Sequence, residues 1–307
     1  GSVIIYGGAD VRGGTAGTDG GGIFASNATV TISDGGTYVG YPFANNGINV
    51  ATNNGGSICA MDSDIGIGNG AGIASSYALD SGGGIWCDNS TIHLLSGATI
   101  GANSGNYRTN YANVSGAGIY ARTSTLIVSN ATIKDCRSGY SGGGVCLHDS
   151  SCTMTDVLIT NNLANNLGGG IYAEVAAMLS VTSSLIRGNI GNVRGGGVYC
   201  SATNLDSRMT FDACGIDGNT AVRDGGGVRW YSPSRLTVRG GTMRGNAAGW
   251  YGGALAATNG SRHISLTEVD VTGNSAGQRG GGVYAAGCSL SVSNSHFWYN
   301  LATNTSG

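Results

Sequence analysis

Acid–base, metal or thiol chemistry in this 307-residue chain would have to come from 17 acidic side chains, four histidines and eight cysteines. Asp62, Asp64 and Asp88 make the densest acidic group. Paired carboxylates are what glycoside hydrolysis requires, but no Arg or His joins these three in the sequence pattern, which favours solvated turn acids. Asp19, Asp80 and Asp224 each precede a glycine block, in units that are not neighbours. His93, His148, His263 and His296 are isolated and no C-x-x-C occurs, so no zinc site is expected. The string GGTAGTDGGG at 13–22 misses the spacing of a calcium-binding glycine repeat by one residue and occurs once. No G-x-S-x-G or phosphate loop stands out. No catalytic, cofactor-binding or metal site is expected. Two cysteine pairs are candidate disulfides: Cys146 with Cys152, which bracket a turn, and Cys200 with Cys214. The competing reading is inward cysteine acting as small apolar filler.

The elements that must carry these residues are set by glycine. There are 58 glycines, two prolines, one lysine and two glutamates, a composition poor for helices and good for turns and strands. Apolar content of 40% is too high for disorder. No stretch approaches 18 apolar residues, so no membrane-spanning helix is expected, and a net charge of −2 gives no sign of nucleic-acid binding. A block of glycines followed by an aliphatic residue recurs as GGGIF at 20–24, GGGIW at 82–86, GAGIY at 116–120, GGGVC at 142–146 and GGGIY at 168–172. It returns as GGGVY at 195–199, GGGVR at 225–229, GGALA at 252–256 and GGGVY at 280–284. The smallest step between blocks is 26 residues; longer steps hold inserted loops, chiefly 41–54 and 104–115.

Numbered from the block's third residue, positions +1 and +3 are aliphatic or small, a second alternating pair falls near +8 and +10, and a third apolar residue falls near +15. An Asn usually follows three residues later, as in Ile186–Asn189, Ile216–Asn219 and Met243–Asn246. Period two means strands. Three short strands in 26 residues cannot enclose a core alone, so each unit must be one coil stacked on the next. The expected fold is all-β: a right-handed, three-sided parallel β-helix of about ten coils, a single domain over 1–307 with a partial first coil at 1–19. The repeated Asn is expected to adopt the left-handed conformation and form an amide ladder along the axis. GGAL at 252–255 followed by VTGN at 271–274, and GGGV followed by FWYN at 297–300, resemble the GGA[ILV] and FxxN repeats of polymorphic outer-membrane proteins and similar autotransporter passengers. That resemblance covers residues 20–300 and implies the same fold, shared by adhesins, surface fibres and carbohydrate-active enzymes; it implies a passenger without its membrane barrel.

Two surfaces stand out. Position +2 should point outward, giving a ladder of Phe24, Trp86, Tyr120, Tyr172, Tyr199 and Tyr284 beside a bare glycine strip. Either these rings stack to stiffen the sheet, or they form an adhesive face whose replacement by Ser spares the fold. The corner before the block carries Tyr140, Arg194, Arg223, Trp250, Tyr251 and Arg279. Fourteen arginines against one lysine, with abundant Asn, Ser and Thr, suggest an extracellular or cell-surface protein. The leading expectation is a structural or adhesive protein, not an enzyme, that pairs end to end with copies of itself through open coils or binds surface glycans. Residues 1–150 carry nine acids and five bases and residues 151–307 carry eight and ten, a weak bias toward head-to-tail order. The rivals are a polysaccharide lyase or glycoside hydrolase and a non-catalytic glycan-binding module.

Overall fold

Each glycine-led segment forms the first strand of a coil, and the coils stack as the repeat demands. The computed structural model describes residues 1–40, 47–101, 109–258 and 263–303, and those residues form parallel strands with no helix. A first sheet of ten strands, from Ile23–Ser26 to Val283–Ala285, takes one strand per coil directly after each block. A second sheet of 20 strands takes two per coil, and these merge into single long strands at Arg208–Asp217 and Arg235–Arg244. A third sheet has 11 short strands, such as Leu163–Ala164 and Thr220–Ala221. The molecule is a three-sided parallel β-helix. The third side differs from expectation: the apolar residue near +15 lies on the second sheet, and the two-residue strands of the third sheet fall where the repeat pattern places the Asn corner. Of the two inserts, residues 41–46 and 104–108 lie outside the described residues, whereas Asn49–Ala51 and Tyr111–Ala112 are ordinary third-sheet strands.

Register is strict. Ile85, Ile119, Val145, Ile171 and Val198 lie side by side on the first sheet, and Ile92, Leu126, Cys152 and Leu179 on the second, all buried. A one-residue slip would turn every one of these outward. The glycine strip is not bare. In the first glycine of each block φ is positive, as at Gly142 (φ 63) and Gly195 (φ 64). The second and third glycines press against the third sheet with no room for a side chain: a Cβ on Gly143 would lie 2.6 Å from the Leu163 carbonyl oxygen, and one on Gly170 would lie 3.2 Å from the Asn189 amide carbon. Backbone packs on backbone there, so the strip is buried.

Two internal ladders tie coil to coil. Asn162, Asn189, Asn219, Asn246 and Asn274 are fully buried, and each donates from its backbone N–H and its Nδ2 to the Oδ1 of the next, down to Asn300. Their second Nδ2 proton goes to a carbonyl of the preceding coil, for example Asn219 to Ile186 at 2.9 Å. The left-handed residue is the one before the Asn, Asn161 (φ 56) or Gly218 (φ 62), and not the ladder Asn itself. The ladder is interrupted where Cys136 takes the Asn position, between Asn110 and Asn162. At the corner between first and second sheets, Ser63, Ser90, Ser124 and Ser150 form a second ladder. Each hydroxyl accepts from the coil before and donates to its own carbonyl two residues back.

Candidate interaction surfaces

The +2 side chains do point outward, but most are not exposed. Trp86, Tyr172 and Tyr199 are buried, Tyr120 and Tyr284 are half-buried, and only Phe24, at 53% exposure, stands free. The reason is local. The base of the side chain sits close over the first glycine of its own block, so that a Cβ on Gly82 would lie 2.5 Å from the Trp86 Cβ and one on Gly195 would lie 2.7 Å from that of Tyr199. The rings also cover one another: Tyr172 and Tyr199 stack with centroids 5.7 Å apart, and Cys146 fills the rung beside them. Tyr172 and Tyr199 spend a face on each other, Tyr284 spends one on Tyr251, and Trp86 has one covered by Arg122. Replacing Tyr120, Tyr172 and Tyr199 together would therefore remove packing as well as surface.

Beside the aromatic column runs a polar one, Asp88, Arg122, His148, Glu174 and Ser201, in consecutive coils. Arg122 binds Asp88 and lies 5.5 Å over the Trp86 ring. The Arg122 hydrogen bond is the main cause holding the Asp88 carboxyl below its ordinary range. His148 Nδ1 is 2.9 Å from Glu174 Oε1, and the Tyr172 hydroxyl donates to Glu174 Oε2 at 2.8 Å. His93 lies 3.5 Å from Asp64. The sequence pattern paired no cation with Asp64 or Asp88; in-register strands bring both cations, His93 and Arg122, from the next coil. Cys146, His148 and Glu174 share one outward face, an arrangement that elsewhere could make a thiol nucleophile. Here burial, followed by the Glu174 charge, pushes the Cys146 thiol well above its ordinary value, opposite to what a reactive thiolate needs.

Neither candidate disulfide forms; all eight cysteines are free thiols. Cys146 lies outside its coil against Tyr172, whereas Cys152 lies inside, among Leu126 and Leu179, so the sheet separates them. Cys200 fills the first-sheet core, and the Cys214 thiol points to the carbonyls of Val181 (3.3 Å) and Asp212 (3.2 Å).

The corner patch assembles in part. Arg223 sits 4.5 Å over Trp250, Trp250 meets Tyr251 edge-on, and Tyr251 stacks on Tyr284 at 4.6 Å. Trp250 and Arg223 are exposed, with Arg279 beside Tyr251 in the next coil. Arg194 instead turns onto the buried Asp224 at 2.8 Å, and Tyr140 lies exposed several coils away. Asp224 also faces the buried Arg229, with 3.8 Å between Oδ2 and Nε. Sequence reading missed the serine ladder, although Ser recurs at the same place after each first strand; it also missed Arg229, whose position in the aromatic column was its signal.

Residues 156–174 match the family model of the Chlamydia polymorphic membrane protein repeat. The stretch runs through a second-sheet strand, Asn162 of the ladder, the glycine block and the Tyr172–Glu174 rung. No curated protein and no solved structure matches the chain. In fold and in repeat, this parallel β-helix resembles the polymorphic outer-membrane and autotransporter-passenger type.

Proposed function

We propose that this chain is a structural or adhesive β-helix of a cell surface, acting by contact and not by turnover. One observation carries the reading. The polar groups suited to chemistry are held in rung-to-rung pairs, whereas the Arg223–Trp250–Tyr251 corner offers exposed guanidinium and ring surface together. Exposed Arg and aromatic side chains are the usual anchors of protein contacts. The polymorphic membrane protein repeat at 156–174 supports a surface setting. End-to-end pairing belongs to the same proposal. Val3 and Phe297 occupy core register positions, opposite Val30 and Val271, and are 44% and 43% exposed. Further coils of a longer chain or a second copy would cover them equally well.

The test is adhesion of beads coated with the protein, to one another and to cells with and without surface glycans. The double substitution Arg223→Ser, Trp250→Ser should lower adhesion while leaving the melting temperature unchanged. Sedimentation over a wide concentration range reads self-pairing separately. Release of reducing sugar from a polysaccharide panel would overturn the reading.

A further inference from the structure

On the outer face of the second sheet, far from the corner patch, Arg208 and Arg235 stand in register on adjacent strands, with His263 at the next rung beyond Arg235. Arg239 lies on the same face of the same strand as Arg235, across from Asp212. All three arginines are exposed, and none forms a salt bridge among the described residues. Like charges side by side on neighbouring strands repel, and rungs lie only about 4.8 Å apart. A folded sheet holding such a pair gains when an anion bridges it. Next to the pair is a cleft of about 340 Å³ lined by Ser151, Thr153, Met178, Ser180, Arg208 and Thr210. The hydroxyls continue beyond it in one column through Thr237, Ser265 and Ser291.

We propose that this face binds a linear acidic polysaccharide, laid along the helix axis with its anionic groups on Arg208 and Arg235 and its hydroxyls on the Ser/Thr column. The ladder geometry favours a repeating polymer, because the two adjacent arginines stand beside a hydroxyl column that continues over six rungs, from Thr153 to Ser291. Neutral glycans leave the arginine repulsion unrelieved. Single-stranded nucleic acid binds by stacking on aromatic side chains, and the outward positions of this sheet from Ser151 to Ser293 carry no Phe, Tyr or Trp. The cation face is independent of the corner patch, so it stands or falls apart from the adhesive reading above.

The experiment measures binding of the full chain to polygalacturonate and dextran sulfate, with neutral dextran as control and oligo(dT) as competitor. The expected result is saturable, salt-sensitive binding to one or both acidic polymers and none to neutral dextran. Arg208→Gln with Arg235→Gln should weaken it about tenfold. The same variant should melt no lower than the parent, because it removes a repulsion; that readout separates lost binding from lost fold. Arg137→Gln, an exposed arginine on the third sheet outside both surfaces, should bind the polymers as the parent does. No binding, equal binding by the Arg208/Arg235 variant, or displacement by oligo(dT) as effective as by polysaccharide at equal charge would each overturn the proposal.

Discussion

Replacing Asn219 by Leu asks how much the amide ladder contributes. The side chain is fully buried and makes four hydrogen bonds. Oδ1 accepts from Asn189 N and Asn189 Nδ2, both at 3.0 Å, and Nδ2 donates to Ile186 O at 2.9 Å and to Asn246 Oδ1 at 3.0 Å. Leucine has similar volume, so no water enters to replace them. Two donors on Asn189 and the Ile186 carbonyl are left without partners, while Asn246 Oδ1 keeps the Asn219 backbone N–H. At about 1–3 kcal/mol for each of three orphaned groups, less about 1–2 kcal/mol from burying an apolar side chain, the loss is about 2–7 kcal/mol. That is a large part of the ~5–15 kcal/mol by which a domain is stable. Because solenoid stability is a sum over neighbouring repeats, amide exchange should quicken most in the coils around 189 and 246. Urea unfolding reads the total and hydrogen exchange reads the location. Asn300→Leu is the comparison: its amide is half-buried and water reaches it, so the cost should be about 1–2 kcal/mol. A loss below about 1 kcal/mol for Asn219→Leu, or exchange that rises uniformly along the chain, would refute the reasoning.

Gly169→Ala should abolish soluble, folded protein, since its Cβ would overlap the Ile190 carbonyl, whereas Gly218→Ala meets nothing within 4 Å and should cost only the strain of φ +62, about 1 kcal/mol; soluble yield and urea midpoints distinguish them. Native iodoacetamide labelling should reach Cys288, the one cysteine not buried, and leave the other seven thiols unmodified until unfolding, as read by peptide mass mapping without reductant. The Asp88–Arg122 pair, with its depressed carboxyl, should contribute stability that is full at neutral pH and lost as pH falls below the ordinary Asp range; melting curves of Asp88→Asn should lack that part of the acid dependence.

The coil stack was legible in the sequence because its cause is periodic: Ile85, Ile119 and Val145 follow their glycine blocks at fixed offsets and end up in register. The third sheet was not, because strands of two residues such as Ile190–Gly191 are too short to show alternation. Alternation gives the direction of a side chain, but not what lies over it. Tyr172 faces outward as its position requires, yet the glycine beneath and the ring beside it remove it from solvent. The Arg122–Asp88 pair was hidden for a related reason, since its partners stand 34 residues apart and meet only once the length of the intervening coil is known. Cys146 and Cys152 are close in sequence and on opposite sides of the wall, a separation that spacing alone does not reveal.

The glycine blocks also give the molecule a direction. In a usual sheet, successive N–H groups alternate between neighbours and their dipoles largely cancel. Here Gly142, Gly143, Gly144 and Val145 all donate to Leu167, Gly168, Gly169 and Gly170 of the following coil, and those blocks do the same to the next. The rung-to-rung bonds of the Asn ladder point the same way, each backbone N–H and one Nδ2 proton donating forward while the other Nδ2 proton returns to the preceding coil. The result is an axial column of aligned peptide and amide dipoles, a solenoid counterpart of the helix macrodipole. At a cut through the glycine blocks and the Asn rungs, the face toward the N-terminus presents carbonyl and Oδ1 oxygens and the face toward the C-terminus presents N–H groups, whereas the third sheet runs the other way, Leu163, Asn165 and Asn166 donating back to Cys136, Ser138 and Tyr140. Along the glycine column a coil joins in one sense, oxygen edge to N–H edge; two like edges of that column brought together would set acceptor against acceptor or donor against donor. Growth of such a rod, within one chain or between chains, is polar by construction.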